Sequence, residues 1–214
     1  MARILVVTAT ARTVFVGGAF KRFGSSPRRG LAALSASDGR ILPWHAPILA
    51  SWFGAPPLVT TLAVGEGRLY FAGTFGGVAG AARVNGVAAV HLHDGRLTRF
   101  APRAPTLGTL AIAVVHENVV LGGGDSSGIF DATTGTLRHR SATIGGVVAV
   151  RGWTAYTGGS GKYSIAPHNL LAADVRTGDS GRWVPNVAPV VGVATIALSG
   201  DEAFVGGQFC QTLG

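Results

Sequence analysis

Residues Val7–Gly18 read VTATARTVFVGG, and the same twelve-residue pattern returns as Leu62–Gly73 (LAVGEGRLYFAG), Ile112–Gly123 (IAVVHENVVLGG), Val148–Gly159 (VAVRGWTAYTGG) and Ile196–Gly207 (IALSGDEAFVGG). Each copy opens on an apolar residue and a small one, and a polar or glycine-bearing turn follows. Three residues of high β-propensity then run into a pair of small residues. Phe15, Tyr70, Val120, Tyr156 and Phe204 hold the middle of that second run. Short apolar runs on either side of a tight turn predict a β-hairpin in every copy.

A second pattern follows the first, in Leu31–Trp44 (LAALSASDGRILPW), Val87–Phe100 (VAAVHLHDGRLTRF), Ser127–Arg140 (SGIFDATTGTLRHR) and Leu170–Trp183 (LLAADVRTGDSGRW). Each reads as a strand, a turn closed by Gly39, Gly95, Gly135 or Gly178, and a further strand; glycine supplies the positive φ such turns need. Five residues beyond the glycine stands an aromatic, as Trp44, Phe100 and Trp183, with Arg140 in the third copy. The two halves make a four-stranded antiparallel unit of 36 to 55 residues between glycine pairs, the size of a propeller blade. The expected fold is all-β, a β-propeller with blades near 1–47, 58–102, 107–140 and 146–185 and a partial blade at 191–214, about four and a half blades in one domain. Blades cover their apolar faces with neighbours, so an arc that does not close leaves a bare face and edge. The expectation is therefore a fragment or open arc; a five-bladed ring closed by its two ends is the alternative.

Composition agrees. The chain has 214 residues, of which 47% are hydrophobic and 13% charged, which excludes disorder; 33 glycines and 10 prolines suit short strands and tight turns. The one cysteine, Cys210, excludes an internal disulfide framework and a cysteine-rich zinc site. The uncharged stretch Trp183–Gly200 is broken by Pro185, Pro189 and Gly192 and does not read as a membrane-spanning helix. The opening MARILVVTAT is too short and too weakly charged for a secretory signal.

The run RLYFAGTFGGVAGAARVNGVAAVHLHDGRLTRFAP (Arg68–Pro102) resembles the delta-60 repeat of bacterial propeller proteins, and VFVGGAF (Val14–Phe20) and AFVGGQF (Ala203–Phe209) resemble its first half. The units are also similar to the pyrroloquinoline quinone type repeat, in which Ala-x-Asp-x-x-Thr-Gly and a following Trp lock one blade to the next; Ala173–Trp183 and Phe130–Gly135 carry that likeness. The resemblance implies a bacterial repeat propeller, exported or at the cell surface, with no activity fixed by the repeat itself.

Chemistry is sparse. A quinoprotein dehydrogenase needs carboxylates around a calcium ion and a catalytic Asp, whereas Asp38, Glu66, Asp94, Asp201 and Glu202 fall on turns; no cofactor is expected. His91 and His93 share a strand face beside Asp94, but the aligned Ser35 and Ser37, Asp131 and Thr133, and Asp174 and Arg176 read as an exposed strand end rather than a metal site. No serine stands in a nucleophile-elbow pattern. Trp44, Phe100 and Trp183, fixed in the repeat, read as packing between blades rather than as sugar platforms.

The balance of 18 Lys and Arg against 10 Asp and Glu is arginine-rich, as GC-rich coding also produces, but it is unevenly placed. On the long loops of one rim stand Lys21, Arg22, Arg28, Arg29, Arg83, Arg103 and Lys162 against the single acid Asp125, while most acids line the turns of the other rim. Long loops on a rigid scaffold are where binding sits. The expected function is a non-enzymatic binding module taking an anionic ligand, an acidic polysaccharide or an acidic protein surface, on those seven residues. Nucleic acid is disfavoured, since exposed aromatics do not interleave with the cations. The alternatives are an enzyme on carbohydrate or a small substrate with its site at the channel mouth, and a purely structural spacer.

Overall fold

The computed structural model describes residues 3–49, 56–79, 86–102, 111–123, 127–141, 144–159, 170–180, 183, 185 and 190–209. Two compact units are present, residues 1–107 with 133–135, and 108–132 with 136–214. Among the described residues the regular structure is entirely β.

The first unit begins with β1 (Arg3–Ala9) and β2 (Thr13–Ala19), paired antiparallel with Val7 opposite Val16. A small hairpin follows, β3 (Arg22–Phe23) and β4 (Ser26–Pro27), and then β5 (Leu31–Ser35) returns to β2 with Phe15 opposite Ala33. The next repeat has the same plan in β6 (Leu58–Gly65), β7 (Arg68–Thr74) and β8 (Val87–His91), with Leu62 opposite Phe71 and Tyr70 opposite Ala89. A single pair, Ala19 with Leu58, joins the two repeats into one sheet. The unit's core gathers Phe15, Leu31, Trp44, Val59, Leu62 and Phe71. A fully buried side chain of this kind contributes about 1.5–3 kcal/mol.

The second unit holds β9 (Ala111–Val115), β10 (Asn118–Gly122), β11 (Gly128–Asp131) and β12 (Leu137–Arg140) in one antiparallel sheet. It continues with β13 (Val147–Arg151), β14 (Thr154–Gly158) and β15 (Leu170–Asp174) in a second sheet, and β16 (Val190–Ser199) with β17 (Glu202–Phe209) in a third. All five hairpins expected from the twelve-residue pattern are present.

Three of the hairpins carry a β-bulge at the same repeat position, between Ile4 and Val6, Val59 and Thr61, and Val193 and Thr195. Opposite the bulge stands the second glycine of the small-residue pair. A side chain at Gly18, Gly73 or Gly207 would sit 2.0, 1.9 or 2.2 Å from the carbonyl oxygen of Arg3, Leu58 or Gly192. The bulge turns that carbonyl against the bare Cα, and no residue but glycine leaves it room.

The fourth strand is shorter than the pattern implied. Among the described residues it forms a ladder only as β12, and elsewhere it is marked by the isolated bridges Leu34–Ile41, Val90–Leu97 and Ala173–Ser180. The aromatic explains the difference. Trp44 and Phe100 leave the ladder for the core, and Pro43 removes a donor just before Trp44. Arg140, at the same position in the third repeat, has no core to enter and stays paired with Gly128.

Candidate functional site

The segment carrying Lys21, Arg22, Arg28 and Arg29, a long loop by its sequence, folds into its own hairpin. Arg22 lies opposite Pro27 and Phe23 opposite Ser26, around Gly24 at φ +55°. The Arg28 N–H donates to the Lys21 carbonyl at 3.2 Å and the Gly30 N–H to the Phe20 carbonyl at 3.0 Å, while Gly18 N–H donates to Gly30 at 3.0 Å and ties the base to β2. Phe20 packs on Val16 and Ala32 with Phe23 beside it, the two rings 5.6 Å apart. The apolar side of the hairpin is thus a fixed anchor, and its polar side carries Lys21, Arg22, Arg28 and Arg29.

These four cations differ in how far they are committed. The Arg28 guanidinium is half-buried and donates to the carbonyls of Leu42 at 2.9 Å and Pro27 at 2.8 Å, with its Nε buried and unpartnered. It fastens the hairpin to the segment after the Asp38–Gly39 turn. Arg22 donates to the Ser25 carbonyl across the hairpin tip. Lys21 and Arg29 are exposed, and among the described residues neither has a side-chain hydrogen bond. The hairpin contains no acid, and among the described residues none of its cations is ion-paired. Four like charges on one short hairpin raise the local positive potential, which an anion relieves. Arg83, Arg103, Lys162 and Asp125, also named from sequence, lie outside the described residues.

The acids are elsewhere. Every described Asp and Glu lies at a hairpin turn, at the last residue of a third strand or just beyond it. There they hold turns closed: Asp38 accepts from the Arg40 N–H at 3.1 Å, Asp94 from Arg96 at 2.9 Å and Asp174 from Arg176 at 2.8 Å. Ion pairs run at the same ends, Arg138 with Asp131 at 2.6 Å and Arg176 with Asp174 at 2.5 Å. The Arg176 side chain and then its backbone N–H pull the Asp174 carboxyl down to about 2, and the Arg96 N–H lowers Asp94. The Ser35 hydroxyl is the main cause lowering Asp38.

His93 Nε2 is 3.1 Å from the Asp94 carboxylate and its ring is 5.5 Å from that of His91. Among the described residues no three His, Cys, Asp or Glu side chains are grouped to hold a metal ion. Trp44 does join two repeats: its indole N–H donates to the His91 carbonyl at 3.3 Å, with its ring against the bare Cα of Gly95.

One cluster at the turns was not read from sequence. The His116 ring stacks on Trp153 at 4.3 Å and 29°, and the Arg176 guanidinium carbon lies 5.9 Å from the Trp153 ring centre. The only sequence signal was that His116 and Trp153 occupy neighbouring turn positions of consecutive hairpins.

No family model matches the sequence, and no curated protein does. The crystal structure of BamB from Moraxella catarrhalis is similar to this chain, with a TM-score of 0.54 and 13% sequence identity over 94% of this chain and 54% of that one. This chain therefore spans about half the length of that neighbour. At such identity the likeness carries the fold alone, and the fold is that of an all-β propeller built from antiparallel blades.

Proposed function

We propose that this chain is a non-enzymatic binding module of an exported or cell-surface bacterial protein, and that the hairpin from Phe20 to Gly30 takes a polyanionic ligand, an acidic polysaccharide or an acidic protein surface. One observation carries this reading: four cations without a carboxylate stand on a hairpin whose apolar side is anchored by Phe20 and Phe23. An anchored, charged hairpin is preorganised, so little ordering opposes binding. The proposal keeps Arg83, Arg103 and Lys162 as further candidate cations from the sequence. The exported location rests on the sequence resemblance.

The enzymatic reading calls for carboxylates converging on a substrate. The described acids instead lie at the turns, where several close the backbone or pair with arginines, which favours a binding role.

Titration of the chain with a polyuronate across a salt series tests the proposal. Replacing Lys21, Arg22 and Arg29 together by Gln is expected to weaken binding about tenfold at low salt and to flatten its salt dependence. Equal affinity in the triple variant would remove the hairpin as the site. Binding of an acidic protein but not of the polyuronate would select the protein surface, and no salt-sensitive binding of either would leave the spacer reading.

A further inference from the structure

The last residue of each third strand faces the start of the second strand across the ladder: Ser35 faces Thr13, His91 faces Arg68, Asp131 faces Asn118 and Asp174 faces Thr154. Asp131 and Asp174 each take a guanidinium, from Arg138 at 2.6 Å and from Arg176 at 2.5 Å. The first repeat carries no charge at either place. The second carries the guanidinium of Arg68 without a carboxylate, because His91 stands where the later repeats place their acid.

Arg68 is half-buried and only partly satisfied. Its Nη2 donates to the Thr133 hydroxyl at 3.4 Å, its Nε is buried without a partner, and among the described residues it has no ion pair. His91 lies directly opposite on the same face of the sheet, where the Cβ atoms of such a pair stand about 4.5–5.5 Å apart. The neighbouring acid is already committed: Asp94 accepts from the Arg96 N–H at 2.9 Å with one oxygen and meets His93 Nε2 at 3.1 Å with the other. The backbone at His91 is held on three sides. Its N–H donates to the Arg96 carbonyl at 2.9 Å, the Leu92 N–H donates to the Gly67 carbonyl at 3.0 Å, and the His91 carbonyl accepts the Trp44 indole at 3.3 Å.

The geometry points to a carboxylate-binding subsite formed by Arg68, His91 and Thr133, all three within the first unit. It lies at the end of the sheet away from the Arg22–Pro27 hairpin, since Ala19 and Thr74 both pair with Leu58 while Arg68 begins the far end of β7, and it does not rest on that hairpin's role. A ligand carboxylate supplies here what Asp131 and Asp174 supply within their own repeats. The guanidinium offers planar, charge-assisted donors that match two carboxylate oxygens. The imidazole keeps at least one N–H to donate, whether neutral or charged. With the backbone at His91 fixed, little ordering opposes the contact. A uronate and an acidic protein segment both carry the required group.

Titration of the whole chain with acetate, followed by NMR, tests the inference. The Arg68 Nε–H and His91 ring signals are expected to shift together and to saturate in the millimolar range. Arg68→Gln is expected to weaken the His91 response about tenfold or more, and a dispersed amide spectrum checks that the variant is folded. The deciding variant is His91→Asp, which installs the carboxylate that the later repeats possess. It is expected to abolish the acetate response of Arg68 and to raise the thermal midpoint. Lys21→Gln, Arg22→Gln and Arg29→Gln combined should leave the response intact, which separates this subsite from the hairpin. Parallel titrations with tri-aspartate and with trigalacturonate identify the carrier as the one that saturates Arg68 at the lower concentration. Arg68 signals that drift linearly with acetate, like those of the exposed Arg12, overturn the inference. So does a His91→Asp variant that takes up acetate like wild type, or loss of the response in the hairpin variant.

Discussion

The rings of Tyr70 and Phe100 meet edge to face, their centroids 5.1 Å apart and their planes at 89°. Phe15 and Trp44 repeat the pair at 5.2 Å and 68°, and Tyr156 and Trp183 at 5.1 Å and 88°. In each case the middle residue of the second strand meets the aromatic that stands five residues past the turn glycine. In the third repeat both members change together, to Val120 and Arg140. The pair is one device, which closes a blade by drawing its outer segment over the second strand.

Because Phe100 is buried and Trp183 is partly exposed, removing the two rings is expected to have unequal effects. Phe100→Ala should cost about 3–5 kcal/mol and Trp183→Ala about 1–2 kcal/mol, read from denaturant midpoints. A double-mutant cycle of Tyr70→Leu with Phe100→Leu should return about 0.5–1.5 kcal/mol of coupling beyond lost area. A coupling near zero would mean that the edge-to-face geometry adds nothing to simple burial.

Gly39 and Gly95 close equivalent turns at φ +71° and +74°, yet their surroundings differ. Nothing lies within 4 Å of a side chain built at Gly39, whereas one at Gly95 would meet the His45 carbonyl oxygen at 2.3 Å and the Trp44 ring at 3.2 Å. Gly39→Ala should therefore cost only the left-handed backbone term, about 1–2 kcal/mol. Gly95→Ala must also push back the Trp44–His45 segment and weaken the indole bond to His91, and it should cost roughly twice as much or more. Comparison of thermal midpoints checks this, and equal shifts would show that the close approach at Gly95 relaxes freely.

The carboxyl of Asp174 is held at about 2, below its ordinary 3.8, chiefly by the hydrogen bond from the Arg176 side chain. The native value is the lower one. The stabilisation it reports is therefore present above the unfolded value and lost as pH falls toward about 2. Carboxyl chemical shifts followed by NMR should titrate near that value in the wild type. They should move up toward the ordinary value in Arg176→Gln, which keeps the backbone donor but loses the guanidinium. An unmoved midpoint would assign the shift to the backbone N–H alone.

Which parts of this molecule were legible in the sequence follows from where the determining contacts lie. The hairpins at Val7–Gly18 and its four copies are local, each set by a turn and the small pair that ends it, so the period alone exposed them. Phe15, Tyr70, Trp44 and Phe100 were legible as fixed positions, but their pairing is a contact between segments distant in sequence. The collapse of the fourth strand to a bridge follows from that pairing and went unread with it. The hairpin at Arg22–Pro27 was hidden for a different reason. Its strands are two residues each, too short for any periodicity, and its form depends on Phe20 reaching Val16 and Ala32. The stack of His116 on Trp153 joins side chains of separate hairpins and leaves no local trace.

That tertiary dependence separates the cations of the hairpin into two kinds. Arg28 spends its guanidinium on the carbonyls of Leu42 and Pro27, while Lys21 and Arg29 project into solvent. Arg28→Ala is expected to destabilise the fold by about 1–2 kcal/mol, through charged hydrogen bonds lost and carbonyls left less satisfied. Arg28→Lys should not restore it, because an ammonium cannot span both carbonyls as the planar guanidinium does. Lys21→Ala and Arg29→Ala should stay within about 0.5 kcal/mol of wild type. Denaturant midpoints measured beside polyuronate affinity resolve the two roles. Arg28→Lys should lower the midpoint while keeping the charge and most of the affinity, and Lys21→Ala should lower affinity with the midpoint unmoved. Reversal of that pattern would make Arg28 the ligand contact and Lys21 the structural one, and would place the anion at the base of the hairpin rather than on its exposed side.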